Sequence, residues 1–251
     1  MPERIVVKVL VSMTSWKEAE KQWLLKVLEL YKNEYADLDV TFALCVGYPF
    51  NVPSNSVLIE PQYEGWEFPW NNDRYVREHY QDFDYLIHSD CDTFVLRSAF
   101  DYYVNTHLWL KDNVDEPKKW IPGIVTTETF KGDEFLLLPR NEKVGRVVYL
   151  NGKQFLIPRN IQSSATIIDR ERYAKAIERG LPDSPQDYER YTVPEMARMG
   201  FYFCFNKIVG VDELKKGIAV CRHLPNRYTF LHRPIVPSIP FHYHKVSTFS
   251  V

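Results

Sequence analysis

At 251 residues, with 45% hydrophobic and 25% charged content, the chain can bury a sizeable core, which excludes a disordered or fibrous protein. A net charge of −2 offers no basic field for nucleic acid, and no run of 18 apolar residues supplies a membrane segment. One domain over 1–251 is therefore expected, and an amino terminus without a cleavage-like site points to the cytoplasm.

Ile5 to Val11 is a β-branched apolar run that predicts a strand, followed by a loop from Ser12 to Ser15. Ser15-Trp16-Lys17-Glu18 then has capping-box spacing, with Ser15 as N-cap and Glu18 at N3 of a helix. Trp16, Ala19, Trp23, Leu24, Val27, Leu28 and Tyr31 recur at helical spacing, so this face packs on a sheet and its tryptophans read as core. Val40 to Val46 is a second buried strand and Ser56 to Ile59 a third. A helix over Asn71 to Tyr80 precedes a strand over Tyr85 to Ile87. The order β-α-β-β-α-β implies a mostly parallel sheet with right-handed crossovers, whose carboxyl-edge loops collect ligand groups.

A helix around Ala99 to Thr106 is followed by a polar stretch, Lys111 to Lys119, and a β-rich region from Ile121 to Pro158. Within it, Val147–Leu150 and Lys153–Ile157 flank Asn151-Gly152, whose residues tolerate the positive φ of a tight hairpin. Ile161 to Ile168 reads as a strand and Arg170 to Arg179 as a helix closed by Gly180. Thr192-Val193-Pro194-Glu195 is a second capping box, opening a helix that ends near Gly200, before a strand over Phe201 to Phe205. The tail from His232 to Val251, with its prolines, reads as irregular. Cys45, Cys91, Cys204 and Cys221 lack Cys-x-x-Cys spacing, and three of the four sit in apolar stretches; reduced thiols are expected and structural zinc is not.

Three Asp-x-Asp pairs occur. Asp37-Leu38-Asp39 and Asp82-Phe83-Asp84 precede strands and read as polar turns leading into them. Asp90-Cys91-Asp92 alone follows one. Ligands of open α/β sheets bind outside the carboxyl ends of the strands, so position selects this pair. Two carboxylates there can share a hard divalent ion whose remaining positions go to water and phosphate oxygens.

The succession of elements that ends in Asp90-Cys91-Asp92 resembles the nucleotide-binding half of a GT-A glycosyltransferase. The resemblance implies a single GT-A, Rossmann-like α/β domain with a β-hairpin excursion. Residues 1–110 would be its nucleotide-sugar-binding half, and 111–251 its acceptor-side half and tail. It implies Mn²⁺ or Mg²⁺, held by Asp90 and Asp92 on the diphosphate of a nucleotide sugar, most simply UDP-linked. A third ligand would be His244, or else His242, with Lys245 touching phosphate; imidazole among the ligands favours Mn²⁺. Arg74 would make paired hydrogen bonds to phosphate and Trp70 would stack on base or sugar; alternatively Asn71 or Asn72 caps the helix and Trp70 packs beneath it. The base-binding loops map onto Met13, Thr14 and Ser15, and onto Gly47-Tyr48. An inverting transfer needs a base near the acceptor hydroxyl, and Asp187, then Glu189, precede a short helix as the family's acidic residue does. Glu195 is explained as a cap, and the family's common adjacent Glu-Asp pair is missing. The activity implied is hexosyl or deoxyhexosyl transfer to a glycan or other hydroxyl acceptor.

Rival readings fit less well. Haloacid-dehalogenase-type phosphatases place one residue between the second Asp and a Thr or Val, whereas Thr93 follows Asp92 directly. Sugar nucleotidyltransferases carry a Gly-rich loop after strand one, and Ser12-Met13-Thr14-Ser15 has no glycine. A non-catalytic nucleotide- or carbohydrate-binding domain of the same fold is the alternative from another class.

Overall fold

The computed structural model describes residues 6–130, 133–139, 145–158, 164–182, 204–225 and 241–245. In chain order the elements are β1 (Lys8–Ser15), α1 (Lys21–Glu34), β2 (Asp39–Val46), β3 (Ser56–Ile59), α2 (Trp70–His79), β4 (Tyr85–Asp90), β5 (Thr93–Val95), α3 (Arg97–Asn113), β6 (Trp120–Pro122) and β7 (Val125–Phe130). They continue with β8 (Asp133–Pro139), β9 (Gly145–Leu150), β10 (Lys153–Pro158), β11 (Ala165–Asp169), α4 (Arg170–Glu178), β12 (Asn206–Gly210), α5 (Val211–Lys215), β13 (Val220–His223) and β14 (Phe241–Lys245). The protein is α/β, and it divides into two compact units, Met1–Asp92 with Thr166–Phe201 and Thr93–Ala165 with Tyr202–Val251. Among the described residues no helix is long and apolar enough to cross a membrane.

The first unit is built on a sheet of order β11-β4-β1-β2-β3 in which β1 runs parallel to both β2 and β4, and β2 parallel to β3. Strands buried on both faces read as continuous apolar runs, and Val9, Leu10 and Val11 of β1 are fully buried, as are Ala43, Leu44 and Cys45 of β2. On one face α1 packs Leu24, Val27, Leu28 and Tyr31, the Tyr31 ring meeting Phe42 edge-on at 5.9 Å. The order β3-β2-β1-β4 is Rossmann-like, and the expected β-α-β-β-α-β succession is present.

Three local expectations are corrected. Ser12 to Ser15 is not a loop: it continues β1, pairing Ser15 with Val46. The helix therefore starts later, with Glu20 as N-cap and no side-chain cap bond, and Ser15 does not cap it. Trp16 and Ala19 precede that helix and are exposed, Trp16 by 40%, so they are not on its packed face. Helix α4, by contrast, is capped by side-chain chemistry. Asp169 accepts from the Arg172 backbone N–H at 3.0 Å and from its guanidinium at 2.7 Å, both side chains buried.

The second unit holds two sheets, β6-β12-β10-β9 and β14-β8-β7-β13-β5. Helix α3 outruns its expected span at both ends. The hairpin forms at Asn151-Gly152, with φ of 41° and 80°. Leu110, Phe155 and Ile208 form a buried cluster flanked by Trp109 and Trp120. Of the strand expected over Phe201 to Phe205, Cys204 and Phe205 precede β12 and are not part of it, and the rest lies outside the described residues. The tail contains a strand, β14, antiparallel to β8, where irregular chain was expected; pairing partners distant in sequence override local composition. The capping box at Thr192 lies outside the described residues.

Lys207 is the unexpected core residue of this unit. It is 2% exposed, and its aliphatic stem lies on Gly123, where a Cβ would come within 2.5 Å of Lys207 Cγ and Cε. Burial pushes its ammonium from the ordinary 10.5 down to about 7, the Cys221 sulfur drawing it partly back. Between those two values the unfolded chain binds more protons than the folded one, so this group makes stability rise as pH climbs from about 7 toward 10.5. Lys207→Met is expected to remove that component of the slope. At neutral pH its effect on stability is expected to run from neutral to about 4 kcal/mol stabilising, the range seen when buried ion pairs give way to apolar residues of similar volume. Urea denaturation of both proteins across this pH range checks it, and identical slopes would contradict it.

Candidate active site at the carboxyl edge of the parallel sheet

Asp90 is the last residue of β4, and Cys91 and Asp92 form the turn that follows. The parallel register sets Thr14 between Asp90 on one side and Cys45 on the other. Side chains alternate across a strand, so Ser12 and Thr14, Ala43 and Cys45, and His88 and Asp90 share one face. Helix α2 covers it. The Asn72 amide donates to Ser12 Oγ at 2.9 Å, to the Met13 carbonyl at 2.8 Å and to the Ala43 carbonyl at 3.2 Å. One turn position further, Asp73 Oδ1 stands 3.6 Å from His88 Nδ1.

Asn71 works in the opposite direction, fastening the chain that leads into α2. Its Oδ1 accepts from the Gln62 and Tyr63 backbone N–H groups at 2.6 and 3.0 Å, and its amide donates to the Tyr63 and Phe68 carbonyls at 3.0 and 2.7 Å. Neither asparagine caps the helix, whose N-cap is Pro69. Both are 1% exposed. A sequence reading can flag Asn near a helix start as a cap, but only the tertiary fold supplies these distant acceptors.

On the α1 side the turn faces Glu20, whose Oε2 lies 3.7 Å from Cys91 Sγ. Burial pushes the Cys91 thiol far up, the charges of Asp92, Glu20 and Asp90 add to this, and a hydrogen bond from Ser15 opposes it. The ends of β1 and β2 are locked together. Gly47 N–H donates to the Ser15 carbonyl at 2.9 Å, and a Cβ on Gly47 would sit 2.6 Å from the Trp16 carbonyl oxygen. Ser15 Oγ and the Tyr48 hydroxyl are 2.8 Å apart. Burial raises the Tyr48 phenol, the Ser15 bond offsets part of this, and Cys91, Glu20 and Glu18 add to the rise.

Of the residues singled out from the sequence, Thr14, Asp90, Asp92, Tyr48 and Arg74 belong to this unit. Thr14 is buried and the other four are half-buried. Trp70 is 5% exposed, the situation of a ring packed beneath the helix rather than one offered to a base. His242, His244 and Lys245 lie in β14 of the second unit, opposite Leu138, Leu136 and Phe135. Asp187 and Glu189 lie outside the described residues. The two carboxylates of Asp90 and Asp92 are hard oxygen donors suited to Mg²⁺ or Mn²⁺ completed by water and phosphate. Among the described residues no group of three or more His, Cys, Asp or Glu side chains could hold an ion.

No family model matches the chain, and no curated protein matches its sequence. Among solved structures the chain is similar to a crystal structure of an active-site mutant of LgtC, with 11% identity and a TM-score of 0.38, over 78% of this chain and 70% of that one. A likeness of that size carries no argument about activity, which has to come from the site itself.

The thiols here are unreactive by construction. Burial pushes Cys45 up to about 12, eased by the nearby Arg74 charge, and Cys91 higher still. Cys221 is fully buried, and Cys204 is half-buried. A thiol-specific disulfide reagent at pH 8 is expected to modify Cys204 first, with Cys45, Cys91 and Cys221 silent until denaturant is added. Peptide mapping checks this, and early labelling of Cys91 would contradict the enclosure of the turn.

Proposed function

We propose that the protein is a metal-dependent glycosyltransferase that moves a sugar from a nucleoside-diphosphate donor, UDP-linked in the simplest case, onto a glycan or other hydroxyl acceptor. One observation carries this reading: Asp90 and Asp92 stand at the end of β4, beside β1, where the strand order β3-β2-β1-β4 reverses direction. Open α/β sheets bind their ligands in the crevice at that reversal. The GT-A resemblance of the sequence supports the same assignment.

Asp92 would bind the ion directly, and Asp90 would contact it through water or hold the ribose. The ion, Mn²⁺ in preference to Mg²⁺, supplies charge stabilisation for the departing diphosphate. Arg74, near the start of α2 and close enough to Cys45 to ease its ionisation, is the phosphate contact of this unit. Thr14 and Tyr48 would border the nucleoside. From the family resemblance come His244, then His242, as a third ligand, Lys245 as a second phosphate contact, and Asp187, then Glu189, as base in an inverting transfer.

The test is incubation with Mn²⁺ and a panel of nucleotide sugars, with and without hydroxyl acceptors, read by mass spectrometry for released nucleoside diphosphate. Asp92→Asn is expected to lose turnover by about 10²-fold or more, comparable to removing one transition-state electrostatic contact, and to lose its Mn²⁺ dependence while the circular dichroism spectrum stays unchanged. Full turnover in that variant would remove Asp92 from the site. Nucleotide binding without turnover in the presence of acceptor would make the protein a binding module.

A further inference from the structure

The turn that carries the two carboxylates is anchored by the residue between them. Asp90 and Asp92 are half-buried, whereas Cys91 is 4% exposed, so the enclosed side chain of the three is the middle one. Its thiol donates to Glu20 Oε2 at 3.7 Å. Glu20 is the N-cap residue of α1, so this bond ties the end of β4 to the start of a helix 71 residues earlier in the same unit.

The anchor continues beyond the thiol. Ser15, at the end of β1 and 1% exposed, hydrogen-bonds the Cys91 sulfur, and its hydroxyl lies 2.8 Å from that of Tyr48. A thiol and a hydroxyl each have one proton to donate. With the Cys91 proton on Glu20 and the Ser15 proton on sulfur, the Tyr48 hydroxyl donates to Ser15 Oγ, and all three donors run toward one carboxylate. Bonds in such a chain polarise one another, and an ionised acceptor at its end strengthens the set. The chain joins β1, β4, α1 and the segment after β2 without using either aspartate. Two like charges one residue apart repel, and a pinned middle residue resists the relaxation that would separate them.

We propose that Cys91 and Glu20 are positioning residues of the ion site: the bond between them fixes the turn, so that Asp90 and Asp92 are set for one divalent ion before it arrives with the nucleotide. This rests on the reading of those two aspartates as the ion's donors, and it adds why the residue between them is a buried thiol. Glu20 acts through Cys91 and does not touch the ion. Ligands held in advance by a partner of this kind bind metal more tightly, because less order is lost on binding.

The experiment uses the full chain with two probes, Mn²⁺–UDP followed by calorimetry and uridine without metal followed by ligand-observed NMR. Cys91→Ala is expected to weaken Mn²⁺–UDP binding about 10-fold, the lower end for partners that orient metal ligands because a thiol is a weak donor, and to leave uridine binding unchanged. Glu20→Ala should lose the same amount, and the double variant no more than either single one, since both remove one bond. Glu20→Gln keeps an acceptor oxygen and should stay within about 3-fold of the wild type. Wild-type Mn²⁺–UDP affinity in a folded Cys91→Ala overturns the proposal. So do losses that add in the double variant, or a loss in Glu20→Gln as large as in Glu20→Ala, either of which makes Glu20 act on the ion by its charge. An equal loss of uridine binding marks a general distortion and overturns it as well. Should Cys91→Ala not fold, the Glu20 pair decides: weakened Ala with retained Gln supports the anchor, and any other result overturns it. If the wild type binds no Mn²⁺–UDP, or Asp92→Asn binds it equally well, the reading of the site fails and takes this proposal with it. Loss of binding in Asp92→Asn with unaffected Cys91 and Glu20 variants refutes the positioning role alone.

Discussion

The register of β4 against β1 is the constraint on which the first unit depends. Val9 pairs with Tyr85 and Thr14 with Asp90, and His88 and Asp90 take their direction at the carboxyl edge from that alignment. Because side chains alternate with a period of two, a slip of one residue would turn Asp90 and His88 away from α2 and bring Ser89 in their place. Apolar burial on both faces of β1 and β2 stabilises the sheet in which that register is set. Each fully buried Val or Leu contributes roughly 1.5–3 kcal/mol relative to exposure, and Val9, Leu10, Val11, Leu86 and Ile87 are all at 0%. The three hydrogen bonds of the Asn72 amide then fix the helix to that register from above.

The same edge concentrates buried polar groups. Ser12, Ser15, Asn71, Asn72, His88 and Ser89 are each at most 3% exposed, on strands and a helix that otherwise bury apolar residues. Among the described residues Asn72 Oδ1 and Ser89 Oγ have no hydrogen-bond partner. An unsatisfied buried polar atom costs about 1–3 kcal/mol, so a stretch that keeps several such groups departs from what stability alone favours. Departures of this kind concentrate where a protein works, and here they coincide with the turn that carries Asp90 and Asp92.

Much of the first unit was legible in the sequence. β2 and β3 follow uninterrupted β-branched and apolar runs, and α2 follows its own periodicity, so local pattern and tertiary fold agree there. The position of Asp90 and Asp92 was legible for the same reason: a short apolar run has to end in solvent. What local pattern could not show was the length of β1, because Ser12 to Ser15 look like a loop until two parallel neighbours pair with them. The exposure of Trp16 follows directly from that extension, since the helix that was to carry it begins after Glu20. The roles of Asn71 and Asn72 were equally hidden, their acceptors being as far away in sequence as Ser12.

The central claim is that Asp90 and Asp92 jointly hold one divalent ion on a nucleotide diphosphate at the end of β4. Anomalous diffraction from crystals grown with Mn²⁺ and UDP tests it most directly. A single manganese peak within coordination distance of an Asp92 carboxylate oxygen and of the diphosphate is the outcome this account requires. Nucleotide bound with manganese elsewhere, or with both carboxylates turned away from it, would contradict the account.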